Sequence, residues 1–161
     1  MLVKTFLETF KNKKQQPALI LKTSSATFSV IDRNEILEKV QMIKDSVKAI
    51  KYPKIYVLHG DLLDEEMNGL YNHPKVKAHI TFTHGEGYGR PLLEATLSEK
   101  PVIASDWSGH LDFLNKHQSV LLPGALTDVH KSALPKEMRV DGAKWFTVNY
   151  QYAAQIMQDM F

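Results

Sequence analysis

The 161-residue sequence contains no cysteine, which excludes disulfide bonds and thiolate metal sites. No apolar stretch approaches the ~20 residues that span a bilayer. The amino-terminal residues also lack the cationic start and long apolar run of a signal peptide. Basic and acidic residues nearly cancel, to a net charge of +2, and no run of five like charges indicates a nucleic-acid tail. We therefore expect a soluble, cytoplasmic protein with no nucleic-acid partner, and we interpret the short cluster Lys11, Lys13 and Lys14 as a solvated linker.

Two further patterns are missing. The Gly-x-Gly-x-x-Gly fingerprint of dinucleotide-binding enzymes is absent, which counts against nucleotide-sugar epimerases and similar Rossmann enzymes. The seven histidines show no metal-binding spacing with a carboxylate. We therefore expect neither a metal ion nor a bound cofactor.

Short apolar runs alternate with segments of helical spacing along the chain, whose apolar content is 43%. The runs predict strands at residues 17–22, 55–58, 79–83, 101–104 and 119–122. Helical spacing and start signals predict helices at residues 32–50, 64–70, 91–98 and 149–160, with a further helix start at Ser108 or Gly109. Residues 125–144 are irregular in pattern. The alternation predicts an α/β fold, with a Rossmann-like, mostly parallel sheet covered by helices on both faces.

We expect one domain over residues 1–161, with residues 1–16 and 125–161 peripheral to it. In such sheets, ligands bind outside the carboxyl ends of the strands. Four loops are predicted at that edge: Lys22, residues 59–60, residues 83–89 and residues 105–109.

Residues 84–94 are the most unusual segment, because they combine three glycines with Pro91 and with two glutamates, Glu86 and Glu94. Glycine permits close backbone approach, and proline suits the first turn of a helix. The pattern therefore predicts a strand, a glycine loop and a helix start. A helix start offers unpaired N–H groups and the positive end of the helix dipole, which favour a phosphate.

The spacing Glu86-x7-Glu94, around Gly-Tyr-Gly-Arg-Pro-Leu-Leu, resembles the Glu-x7-Glu motif of the retaining GT-B glycosyltransferases, the large "glycosyl transferases group 1" family. Residues 100–106, Lys-Pro-Val-Ile-Ala-Ser-Asp, and Gly109 resemble the family's next strand and glycine-bearing loop. The resemblance covers roughly residues 55–125 well and the flanks weakly. It implies one lobe of a GT-B fold, the carboxy-terminal lobe that binds a nucleotide diphosphate sugar.

The resemblance also implies residue roles. Glu94 takes the position that binds the donor ribose, and Glu86 the position near the transferred sugar. Carboxylates suit these roles because each can accept two hydroxyl donors. The backbone amides predicted to face the donor lie in the loops at residues 83–89 and 105–109. They belong to Gly87, Tyr88, Gly89, Ser108 and Gly109. Lys22 takes the place of a cation that neutralises the leaving diphosphate.

The chain departs from the family in two ways. No arginine precedes Lys22, which leaves Arg33 or Arg90 as the source of the second positive charge. GT-B enzymes also have an amino-terminal acceptor lobe, which this length does not accommodate, so we expect that lobe in cis in a longer protein or on a separate chain. Neither the base, the sugar nor the acceptor can be read from the sequence, which also leaves self-association open.

Other interpretations compete with this one. Glu86 and Glu94 would also suit the acid and base of a glycosidase, or simply a helix start that favours acids. The first leaves the glycine-rich helix start unexplained. Trp107 could stack on a sugar or base, or serve as a packing residue. The alternative of another class is a non-catalytic nucleotide-sugar-binding or scaffold module.

Overall fold

A computed structural model describes residues 1–24, 28–130, 133 and 140–161. These residues form five α-helices, a 3-10 helix at Gly109–Asp112 and seven β-strands. The helices are α1 (Leu2–Phe10), α2 (Val30–Asp45), α3 (Asp64–Asn72), α4 (Arg90–Leu97) and α5 (Tyr150–Met160). The strands are β1 (Ala18–Lys22), β2 (Lys54–Leu58), β3 (His79–Ile80), β4 (Val102–Ser105), β5 (Ser119–Leu122), β6 (Gly124–Asp128) and β7 (Lys144–Val148). The α/β class is confirmed.

The strands form small parallel and antiparallel sheets. Strands β1 and β2 pair in parallel, and β3, β4 and β5 form a three-stranded parallel sheet in that order. Strands β6 and β7 form an antiparallel hairpin, in which Gly124 lies opposite Val148. The parallel pairs agree with the prediction. Most of strand β6 falls in residues 125–144, which were predicted to be irregular, whereas most of β7 lies in residues 145–148, for which no element was predicted.

The chain divides into two compact units. The first unit comprises Met1–Asp64 and Ala153–Phe161, and the second comprises Glu65–Tyr152. The first contains the β1–β2 pair, and the second contains β3 to β7. Among the described residues, no helix is long and apolar enough to cross a membrane.

Helix α1, which was not predicted, belongs to the core of the first unit. Phe6, Leu7 and Phe10 recur at helical spacing and are almost completely buried. The Phe161 ring meets the edge of the Phe10 ring, with centroids 5.6 Å apart. Helix α1, which lies within residues 1–16, thus supplies core side chains to the first unit.

Helix α2 begins where the Ser29 side chain accepts a hydrogen bond from the Asp32 amide at 3.1 Å, a typical N-cap. The helix ends at Asp45, although the helical pattern continues to Ile50. Val47 is fully buried in the following turn, whereas the Ile50 side chain is 99% exposed. The predicted helix is therefore confirmed, but its end was placed five residues too late.

The core of the second unit surrounds strand β4. All four of its residues are buried, as expected for a central parallel strand covered on both faces. The cluster of buried apolar side chains consists of Tyr71, Leu92, Ala95, Val102, Ala104 and Leu114. Helix α4 contributes Leu92 and Ala95 to it, so the helix that follows the glycine loop is fixed by packing.

Candidate functional site

Gly89 sets the geometry of the predicted phosphate loop. It is the N-cap of α4 in the left-handed conformation, with φ +86°. A Cβ at this position would lie 3.1 Å from Leu92 Cδ1 and 3.2 Å from the Cβ of His110. Glycine is therefore required both for the backbone angle and for the tight packing below the loop.

The first turn of α4 has fewer open amides than the sequence suggested. Pro91 has no N–H group, and the amides of Leu92 and Leu93 both donate to the Gly89 carbonyl, at 2.9 and 3.2 Å. Within the described part of the chain, the amides of Gly87 and Tyr88 meet no acceptor. Both residues are exposed. The groups that could receive an anion thus come from the loop, and less from the helix itself.

Two glycine-bearing loops are joined through the Ser108 hydroxyl and the Gly109 amide. The Ser108 hydroxyl accepts from the Glu86 amide at 3.1 Å and donates to the Glu86 carbonyl at 2.8 Å. The Gly109 amide donates to the same carbonyl at 3.0 Å. A Cβ on Gly109 would lie 2.1 Å from the Gly87 carbonyl oxygen. Gly109 therefore joins the loops, and its amide is not open to a ligand in this arrangement.

Ser108 is held in a conformation that side chains disfavour. Its φ of +89° and ψ of −169° belong to a region populated almost only by glycine. Such a conformation costs on the order of 1–3 kcal/mol and persists only where the surroundings impose it. Here the two hydrogen bonds to Glu86 impose it, so the strain marks the point where the loops meet.

Glu94 lies one helical turn into α4. Its carboxylate binds the Arg90 guanidinium at 2.5 Å, and the side chains are 27% and 70% exposed. Burial raises the pKa of Tyr71 to about 12, with the Glu94 charge as the second cause, which Arg90 opposes. The Glu94 carboxylate thus pairs with the Arg90 guanidinium and disfavours ionisation of the Tyr71 phenol.

Glu86 influences another group of the same unit. Burial lowers the pKa of His79 in β3, and the Glu86 carboxylate opposes that shift. The Tyr71 and His79 rings lie 6.0 Å apart. The two glutamates of the motif therefore each act electrostatically on one member of this ring pair.

The hairpin β6–β7 supports both loops through aromatic contacts that the sequence analysis missed. The Trp145 ring stacks on His84, with centroids 3.9 Å apart, and the Phe146 ring stacks on Trp107, with centroids 5.7 Å apart. His84 Nδ1 also donates to the Phe146 carbonyl at 2.6 Å. Trp107 remains 43% exposed, so it combines packing with an accessible surface.

A buried histidine lies under the loops. His110 is completely buried, and its Nε2 donates to the Ser105 carbonyl at 2.7 Å. Among the described residues, His110 Nδ1 and the hydroxyls of Thr83 and Ser105 have no hydrogen-bond partner. In the sequence, only the position of His110 directly after Ser108 and Gly109 indicated that it belongs to the site.

Lys22 belongs to the first unit, whereas the glutamate motif belongs to the second. The Lys22 ammonium donates to the Gly60 carbonyl at 2.7 Å. The neighbouring His59 Nε2 meets the Asp32 carboxylate at 2.8 Å, and both side chains are buried. This buried pair was also missed, because its members lie far apart in the sequence. Of the four predicted loops, the structure joins Lys22 to Gly60 in one unit and residues 83–89 to residues 105–109 in the other.

A cavity of about 620 Å³ lies between α2 and β2 in the first unit. Its described lining includes Leu37, Tyr52 and Tyr56 and none of the predicted site residues. We therefore assign the candidate site from the loop geometry instead. In the described ranges, no group of three or more histidine or acidic side chains could hold a metal ion. Comparisons of the chain with family models, curated proteins and solved structures found no match.

Proposed function

We propose that this chain is the donor-binding lobe of a retaining GT-B glycosyltransferase of the group 1 family, with a Rossmann-like fold. The observation that carries the proposal is the strand, glycine loop and helix at residues 79–97, with Glu86 and Glu94 on either side of the left-handed Gly89. The reaction is transfer of a glycosyl group from a nucleotide diphosphate sugar to an acceptor hydroxyl, with release of the nucleoside diphosphate. Retention of configuration rests on the sequence resemblance.

The diphosphate is proposed to bind at the loop that precedes α4. The amides of Gly87 and Tyr88 are exposed and, in the part of the chain that the structure describes, donate to no acceptor. The amino-terminal end of α4 adds the positive end of a helix dipole. Ser108 and Gly109 contribute by fixing this loop through Glu86, which keeps the amides in place before the ligand arrives.

The ribose is proposed to bind Glu94 by replacing Arg90. An exposed ion pair stabilises a protein by only about 0–1 kcal/mol, so two ribose hydroxyls can compete with it. The released Arg90 guanidinium, at the first position of α4, would then lie near the bound diphosphate and supply the second positive charge. Glu86 is proposed to accept hydroxyls of the transferred sugar, and the role of Lys22 rests on the resemblance alone.

The test of this assignment is Glu94→Gln, which keeps the shape of the side chain and removes its charge. We expect the dissociation constant for a nucleotide diphosphate sugar to rise by roughly 5- to 150-fold, which corresponds to about 1–3 kcal/mol. Glu65→Gln, on the exposed surface of α3, is the matched control and should leave the affinity unchanged. Unchanged affinity in a folded Glu94→Gln variant, measured by titration calorimetry, would show that the ribose assignment is wrong.

Turnover separates the enzyme lobe from a non-catalytic binding or scaffold module. We expect the 161 residues to bind donor and to transfer little or no sugar, because the acceptor lobe is proposed to lie outside them. Robust transfer by the isolated chain would contradict that expectation. Transfer that needs a second lobe in cis or on another chain would favour the enzyme, and donor binding that no such lobe converts to transfer would favour the module.

A further inference from the structure

Two loops of the first unit are locked together at the edge where β1 and β2 begin. The Asn12 side-chain oxygen accepts the amides of Ile50 and Lys51, both at 2.9 Å. The Asn12 amide donates to the Lys51 carbonyl at 2.8 Å, and the Lys51 ammonium donates to the Lys14 carbonyl at 3.0 Å. Asn12 adopts a left-handed φ of +59°, which asparagine tolerates better than most residues. The two loops thus form one defined surface.

We call this surface, residues 11–16 and 46–54, the basic edge. Its 15 residues include six lysines and no acidic residue, although basic and acidic residues nearly balance in the whole chain. The six are Lys11, Lys13, Lys14, Lys48, Lys51 and Lys54. The Lys11 ammonium contacts Glu8, and the Lys13 ammonium lies 5.3 Å from the centroid of the Phe10 ring. The lysine cluster interpreted from sequence as a linker is therefore half of a larger positive surface.

An apolar side chain projects from the same surface. Ile50 is 99% exposed, the highest value among the large apolar residues described, and it lies between Lys48 and Lys51. A fully exposed isoleucine does not stabilise the folded unit by burial. If the basic edge bound a surface with an apolar layer beneath an anionic one, the Ile50 side chain would be removed from water.

We propose that the basic edge binds an anionic membrane surface, with Ile50 inserted below the phosphates. Lipid headgroups match the lysines in charge, and the acyl region matches Ile50 in polarity. A nucleic-acid duplex would match the lysines, but its apolar base faces are stacked and admit a side chain such as Ile50 only at the cost of unstacking them. This inference is independent of the proposed function.

The basic edge lies where β1 and β2 begin, so the carboxyl ends of these two strands stay accessible when the basic edge is bound. Strands β1 and β2 each run for five residues from the basic edge. At about 3.3 Å per residue, their carboxyl ends lie about 16 Å from the basic edge along the strands. Lys22 and Gly60, which lie at the carboxyl ends, would therefore stay in solution while the chain is bound.

The experiment is flotation of the full chain with vesicles of phosphatidylcholine alone or with about one third phosphatidylserine. We expect binding only to the anionic vesicles, and its loss as sodium chloride is raised to about 0.5 M, because salt screens exposed charges. The test variant replaces Lys14, Lys48 and Lys54 with glutamine, and each of these side chains is exposed. Affinity should fall roughly 100-fold, since each lysine near an anionic surface contributes about fivefold.

The matched control replaces three exposed lysines outside the basic edge with glutamine, namely Lys39, Lys75 and Lys77. This control has the same net charge as the test variant, so we expect it to keep most of the binding. Ile50→Ser should weaken binding without changing its salt dependence. Ile50→Trp should show blue-shifted fluorescence with anionic vesicles, after subtraction of the signal of the unsubstituted chain.

Several results would overturn the proposal. They are no binding to anionic vesicles, equal binding to neutral ones, equal losses in the test and control variants, and an Ile50→Ser variant that binds as before. Tighter binding to a single-stranded oligonucleotide than to the vesicles would instead identify the basic edge as a nucleic-acid surface. Circular dichroism of each variant separates lost binding from lost folding.

Discussion

Alanine in place of Gly109 is expected to open the contact between the two glycine loops. The added Cβ would lie 2.1 Å from the Gly87 carbonyl oxygen and 3.0 Å from the Glu86 carbonyl oxygen. Both obstacles are backbone atoms, so no side-chain rotation relieves the overlap. The loops must separate, which breaks the three hydrogen bonds that join Glu86 to Ser108 and Gly109.

The magnitude follows from those bonds. Each contributes about 1 kcal/mol net, so Gly109→Ala should lower the free energy of unfolding by about 3 kcal/mol. Gly87→Ala is the matched control, because a Cβ there meets no described atom within 4 Å. Its effect should stay within about 0.5 kcal/mol, since it creates no overlap and reduces the freedom of the unfolded chain.

Urea unfolding followed by tryptophan fluorescence measures both variants. Trp107 and Trp145 both belong to the unit that contains the loops, so their fluorescence reports that unit. Equal unfolding free energies for the two alanine variants would refute the close contact on which the site depends.

Three further predictions concern single positions. Ser108→Gly should be more stable than Ser108→Ala by about 1–3 kcal/mol in urea unfolding, because both lose the hydroxyl and only glycine relieves the positive φ; equal stability would argue against the strain. Burial lowers the pKa of His79, so the unfolded state takes up a proton that the folded state does not. The free energy of unfolding should therefore keep its full value above about pH 6.5 and decrease as the pH falls below that value. His79→Gln should flatten this decrease, and Glu86→Gln should steepen it. An unchanged pH profile in both variants would contradict the assignment. Glu99→Gly should raise the thermal midpoint, with a gain of about 0.5–1 kcal/mol, because Glu99 has a left-handed φ of +54° just after α4, where glycine is favoured; a lower midpoint would contradict this.

Local sequence patterns predicted the elements whose signals lie within a few consecutive residues. Strands β1, β2, β4 and β5 are short apolar runs with turn residues at their ends, and α4 starts beside Pro91 as predicted. Helical spacing also predicted α2, but not its end. The pattern of apolar positions continues through Val47 to Ile50, whereas Val47 is buried in a turn and Ile50 faces outward.

Contacts between distant segments could not be predicted from local pattern. Strands β6 and β7 pair across intervening residues 129–143, and β6 is exposed along its length, so it lacks the apolar alternation of a strand. The same holds within the candidate site. The sequence indicated the glycines and glutamates, but the joining of Glu86 to Ser108, the stack of Trp107 on Phe146 and the burial of His110 depend on packing.

The central claim is that the loop at residues 84–94 binds a nucleotide diphosphate sugar. The most direct measurement is the thermal midpoint of the chain with uridine, guanosine, adenosine and thymidine diphosphate sugars, because a ligand that binds the folded state stabilises it. We predict that at least one of these donors raises the midpoint, and that the same donor at the same concentration raises the midpoint of Glu94→Gln less. No shift with any donor, or an equal shift in Glu94→Gln, would contradict the claim.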